Sequence, residues 1–143
     1  MNNKTELYVF IVVAIMAEGG GYVHYSLDSI FKFPDVIFNV GVKGLNNFIS
    51  SGIFEAEVAG IYIVTLTVNS EPIFGQCELS INKNSETIGY VTISRTRYSD
   101  QSHTGIVVTQ LAIGDKISIK VFGLKFSNEF HASGTFLTIV KIQ

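Results

Sequence analysis

From residue 61 to 68 the chain reads I-Y-I-V-T-L-T-V, and no helix keeps that pattern turned to one side. A β-strand sends successive side chains to opposite faces. Tyr62, Val64, Leu66 and Val68 therefore share one face, and Ile61, Ile63, Thr65 and Thr67 share the other. Because both faces are apolar or β-branched, the segment reads as a strand covered on both sides. The same period recurs with one wet face where Cys77, Leu79 and Ile81 alternate with Glu78, Ser80 and Asn82. Ile117, Ile119 and Val121 alternate with Lys116, Ser118 and Lys120 in the same way.

Further strand candidates are residues 36–38, 48–54, 87–94, 106–111 and 135–142. Turn chemistry separates them at 41–47, 57–60, 82–86 and Gly114-Asp115. No stretch holds a helical period for three turns. About nine or ten short strands in a chain of this length predict an all-β sandwich or barrel. The 143 residues fit one domain, spanning 1–143. Size scaling has such a chain bury about two-thirds of its unfolded surface, enough for a core without staples.

Hydrophobic residues make up 47% of the chain and charged residues 15%, against about 25% charged in ordinary globular domains. Disorder is excluded by that balance, and part of the surface is expected to meet another subunit. The net charge is −2 and the ten Lys and Arg form no run, which argues against nucleic acid and against a polybasic membrane contact. Cys77 is the only cysteine, so neither an intrachain disulfide nor a cysteine-based metal site within one chain can form. Residues 7–16, LYVFIVVAIM, are too short to span a bilayer, which takes about 20 apolar residues. A signal-peptide core looks similar, with Ala14 or Ala17 ahead of a cleavage point. The weak basic start and Glu6 beside the run favour a first strand at 8–16 instead, rich in β-branched Val9, Ile11, Val12, Val13 and Ile15. Asn3-Lys4-Thr5 forms a glycosylation sequon.

Catalytic signatures are missing from the sequence: there is no Gly-x-Ser-x-Gly elbow, phosphate-binding glycine loop or His-Glu-x-x-His helix. Cys77, alternating with polar residues, reads as a small core residue rather than a nucleophile. The expectation is a protein that is not an enzyme.

Four segments in order carry a family resemblance. Val36-Ile37-Phe38-Asn39, then Gly52-Ile53-Phe54-Glu55-Ala56 and Gly60-Ile61-Tyr62-Ile63, form the first. Leu79-Ser80-Ile81-Asn82-Lys83-Asn84 is the second; Asp100-Gln101 through Gly105 to Leu111 and Gly114-Asp115 is the third; Ser133-Gly134 before Phe136-Leu137 is the fourth. Together they resemble the globular head of the C1q family, within the C1q and tumour-necrosis-factor jelly-roll superfamily. The resemblance implies a ten-stranded jelly-roll sandwich that assembles as a homotrimer through an apolar face, to which Tyr8, Phe10 and Tyr62 are expected to contribute. It also implies a secreted, non-enzymatic recognition module of the innate-immune, lectin type, binding carbohydrate, microbial-surface or protein ligands.

In an antiparallel jelly roll alternate loops lie at one end, so the loops at 17–33, 69–76, 95–103 and 123–132 are expected to cluster. They hold all three histidines, His24, His103 and His131. They also hold Tyr22, Tyr25, Arg97, Tyr98 and Lys125, and with His103 and His131 these are the candidate ligand-binding residues. In the family this end is the exposed apex, which in several members binds calcium. Asp100 matches the family's acidic position before Gln101 and is the candidate Ca2+ ligand. Calcium takes six to eight oxygens, usually including carboxylates. The three histidines read either as a transition-metal or pH-sensitive patch, tripled by a threefold axis, or, the favoured alternative, as three separate solvated loop residues. A second reading is a structural or cytokine-like signalling trimer, binding a receptor in grooves between protomers, or the trimerising cap of a longer protein.

Overall fold

The computed structural model describes residues 12–20, 22–24, 27–70, 75–95, 101–125, 129–131 and 134–143. Among them run eleven strands and one short helix. A five-stranded antiparallel sheet is ordered β3 (Asp35–Val40), β1 (Ala14–Glu18), β11 (Phe136–Lys141), β5 (Gly60–Ser70) and β8 (Gln101–Leu111). A four-stranded sheet is ordered β4 (Phe54–Glu55), β9 (Lys116–Lys125), β6 (Gly75–Lys83) and β7 (Glu86–Arg95). A separate pair joins β2 (Tyr22–His24) to β10 (Glu129–His131). The core lies between the two larger sheets.

One face of each alternating strand fills that core. Tyr62, Val64, Leu66 and Val68 of β5 are fully buried, as are Ile15 and Ala17 of β1, Leu137 and Ile139 of β11, and Leu79 and Ile81 of β6. The Tyr62 ring packs edge-on to Phe54 with centroids 6.1 Å apart, and its hydroxyl donates to the Val58 carbonyl at 2.6 Å. Burial, with the Glu57 carboxylate as the lesser influence, pushes the Tyr62 phenol above its ordinary value. Residues 28–31 run beside β9: Asp28 N–H and Phe31 N–H donate to the carbonyls of Val121 and Ile119, and Val121 N–H donates to Ser29. This places Phe31 and Phe33 within the core, their rings 5.0 Å apart.

Three expectations are corrected. Residues 48–54, expected as a strand, instead form most of helix α1 (Leu45–Ser51) followed by β4. The helix is seven residues long, too short to show a three-turn period, and buries only Phe48. It stops at Gly52, whose φ of 75° is left-handed and whose N–H caps the Phe48 carbonyl. A Cβ there would also sit 2.6 Å from the Phe31 carbonyl oxygen, so glycine is required twice over. The first strand begins at Ala14 and runs on to Glu18, and the earlier part of the expected 8–16 strand lies largely outside the described residues. Finally, Ile61, Ile63, Thr65 and Thr67 are not covered within the protomer; they are half-exposed.

Candidate functional site

Strand register shows which loops meet. Ser70 pairs with Gln101, Gly75 with Arg95, Gln76 with Lys125, and Glu18 with both Phe136 and Asp35. The connections at 19–34, 71–74, 96–100, 126–128 and 132–135 therefore leave from one end of the sandwich, the arrangement expected of the apical loops. The ends are tied to each other: a Glu18 carboxylate oxygen accepts from Gly134 N–H at 2.8 Å, and Gly19 N–H donates to the Thr135 carbonyl at 2.9 Å.

Of the residues expected at the apex, His103 is the one whose side chain is described. It lies opposite Val68 on the inward-facing side of β8 and is half-buried. Tyr22 and His131 are directly paired across β2 and β10, and Lys125 ends β9 opposite Gln76; their side chains are outside the description. Tyr25, Arg97, Tyr98 and Asp100 lie outside the described residues, as do Tyr8 and Phe10. Among the described residues no three His, Cys, Asp or Glu side chains converge as a metal site.

The second surface is one that sequence reasoning located only in outline. The register of the five-stranded sheet lines up Val40, Ala14, Val140, Ile63 and Val108 in one continuous row on its outer face. The next row is Phe38, Met16, Thr138, Thr65 and Ile106. Ile106 is 66% exposed and Val108 63%, and Phe38 and Val40 are also exposed. No charged residue stands in either row, so two strips of aliphatic, aromatic and threonine surface cross the whole sheet. That is far from the scattered exposed apolar residues of a monomer surface. Tyr62, expected on this surface, points the other way. Its side chain is fully buried in the protomer and offers nothing to a neighbour; its outward counterparts are Ile61 and Ile63. The signal for this face was present in Ile106-Val107-Val108, an apolar run with no polar alternate.

At the opposite end from the apex, a cleft of about 550 Å³ opens between α1, β4 and the turn before β9, with Phe48, Phe54, Glu57 and Lys116 among its walls. Glu57 is committed there. Its carboxylate accepts from Gly44 N–H at 2.7 Å and from Lys43 N–H at 3.0 Å, closing the N-terminus of a helix that has no side-chain cap of its own. Across the base, Asp115 accepts from Ala112 N–H at 2.8 Å and from the Asn84 amide at 3.2 Å. Those two bonds hold its carboxyl below the usual carboxylate range. Both acids thus act as structural acceptors.

Two antiparallel sheets in this order, with connections gathered at one end and an apolar outer face on the longer sheet, define a jelly-roll sandwich. The C1q domain family model matches residues 15–137, and the chain belongs to that family. Its fold is similar to the globular domain of zebrafish complement 1qA, with a TM-score of 0.66 and 16% identity over 91% of this chain and 95% of that one. It is also similar to murine APRIL at pH 5.0, with a TM-score of 0.64 and 17% identity, and at pH 8.5, with a TM-score of 0.62 and 20% identity. In both cases 92% of this chain and 99% of that one are covered. No curated protein sequence matches. C1q domains are typically trimeric recognition or ligand-binding modules, generally without enzymatic activity, and C1q-domain proteins are typically secreted or extracellular. Among the described residues no helix is long and apolar enough to cross a membrane.

Proposed function

We propose that this chain is one protomer of a secreted, homotrimeric, non-enzymatic recognition module of lectin type. It would capture carbohydrate, microbial-surface or protein ligands through its apical loops. The observation that carries the reading is the strand register, which sends five connections out of one end of the sandwich while the apolar rows lie on the flank. Binding and assembly then use different surfaces. Three copies of a weak apical site gain affinity through simultaneous engagement without any new contact. Tyr22, Tyr25, Arg97, Tyr98, His103, Lys125 and His131 are the proposed ligand-binding residues, with aromatic and arginine anchors of the kind that dominate recognition surfaces. Asp100 is the proposed Ca2+ ligand, supplying one of the carboxylate oxygens such an ion requires.

The test is a combined Arg97→Ala, Asp100→Ala and His103→Ala variant, compared with the parent on a glycan and microbial-surface panel after both show the same solution mass. Loss of capture with assembly intact is the expected result. Retained capture would sink the apical reading and favour a signalling trimer that binds in the grooves between protomers.

A further inference from the structure

The flank of the four-stranded sheet carries an aromatic pair that neither assembly nor the apex uses. Tyr90 on β7 and Phe122 on β9 are 66% and 55% exposed, with ring centroids 6.3 Å apart and planes only 8° from parallel. Two features of the backbone bring them together across the intervening strand. Tyr90 lies opposite Ser80, a residue too small to separate the rings, and Ser80 in turn pairs with Lys120. Phe122 is the extra residue of a β-bulge, where Glu78 pairs with Gly123 and Leu79 with Val121. Alternation from Val121, which fills the core, sets the Phe122 ring on the outer face with Ser118 and Lys120, and the bulge leaves it without a partner directly opposite on β6.

The outer face beside the rings is polar and fixed. Ser80, Asn82 and Ser118 are all nearly fully buried although they belong to the outer face. The Asn82 amide donates to Ser80 Oγ at 2.9 Å and its oxygen accepts from Thr87 Oγ1 at 2.9 Å. Half-buried Glu78 and Lys120 stand at the rim on β6 and β9, one acid and one base.

The geometry points to a binding site for an uncharged saccharide on this flank, distinct from the apical loops and independent of the apical reading. A pyranose has an apolar C–H face and a hydroxyl edge. Two near-parallel rings offer aromatic surface to the first, while Glu78 and Lys120 offer an acceptor and a donor to the second. Their opposite charges cancel, which favours a neutral ligand over an anionic one. The area argues against a protein partner. At these exposures the two rings present roughly 200–300 Å², about a third of the ~800 Å² that each side of a specific protein interface buries. The outward neighbours, Thr92 on β7, Ser80 on β6 and Lys120 on β9, do not extend the apolar patch.

The test is a two-dimensional NMR titration of the full chain with cellohexaose, maltohexaose and chitohexaose as probes. At least one should produce saturable shifts in the Tyr90 and Phe122 ring signals and the Ser80 and Asn82 amides. Tyr90→Ala and Phe122→Ala should each weaken that response at least tenfold at unchanged melting temperature. Tyr90→Phe, which keeps the ring, should retain it. The proposal is overturned if none of the three sugars perturbs these signals, if the alanine variants bind as the parent does, or if the shifts fall on the apical strand ends instead. It is equally overturned if a protein partner is lost on Tyr90→Ala while no sugar responds.

Discussion

Replacing Val108 by aspartate should dismantle the proposed trimer while leaving the protomer folded. Val108 is 63% exposed and lies near the end of the apolar row formed with Val40, Ala14, Val140 and Ile63. Full burial of an aliphatic side chain is worth about 1.5–3 kcal/mol, so the exposed part has about 1–2 kcal/mol left to contribute per copy. A threefold assembly uses it three times, about 3–6 kcal/mol, which shifts the assembly constant by about 10²–10⁴-fold. The aspartate adds three like charges with no partner in the rows, at several kcal/mol more if they are desolvated. Within the protomer the change is at a solvent-facing position, where substitutions usually stay within about 0.5 kcal/mol. Sedimentation velocity at micromolar concentration should therefore show a trimer for the parent and a monomer for Val108→Asp, with matching far-ultraviolet circular dichroism. Ser85→Asp, in the exposed β6–β7 turn, adds the same charge off the face and should remain trimeric. A Val108→Asp protein that sediments as the parent does would refute the assignment of this face.

Three further outcomes are expected. Glu57→Ala removes the acceptor that caps α1 at Lys43 and Gly44 and should cost about 1–2 kcal/mol in urea unfolding, with amide exchange accelerated at those two residues first. Thr135 is fully buried, and among the described residues its hydroxyl has no hydrogen-bond partner. Thr135→Val keeps the shape and should raise stability by about 1 kcal/mol, seen as a higher melting temperature. The Asp115 carboxyl is held below its ordinary value in the fold, so its contribution is present above the unfolded-state value, near 3.9, and is lost as pH falls through the folded-state value. An NMR titration should find its midpoint below that of an ordinary aspartate, with Ala112 N–H exchange rising as it protonates; Asp115→Asn should flatten that response.

Most strands were legible because period-two alternation survives in β5, β6 and β9 without any tertiary information. What the pattern does not carry is which side of a two-faced strand goes inward. In β5 both faces are apolar, and Tyr62 is placed inside because its ring meets Phe54 and its hydroxyl meets the Val58 carbonyl, contacts made through a turn the alternation does not encode. The helix was hidden for a related reason. It is two turns long, starts at a glycine without a capping side chain, and takes its cap from Glu57, thirteen residues beyond Gly44. Gly60 is required for close approach, which no local pattern encodes: a Cβ there would lie 2.3 Å from the carbonyl oxygen of Gln143. The gathering of loops at the apex followed from counting strands, and the register agrees with it. The Tyr90–Phe122 pair was not legible, because alternation puts each ring on the outer face but does not encode the strand order that brings β7 and β9 together across Ser80.

The proposed avidity, and the proposed separation of binding from oligomerisation, both rest on assembly through the apolar rows. Its most direct test is the solution mass of the unmodified chain by light scattering, taken once in calcium and once in chelator. A mass of three 15.7 kDa protomers in both conditions is the predicted result. A single-protomer mass, or a trimer that falls apart in chelator, would contradict assembly driven by the apolar face.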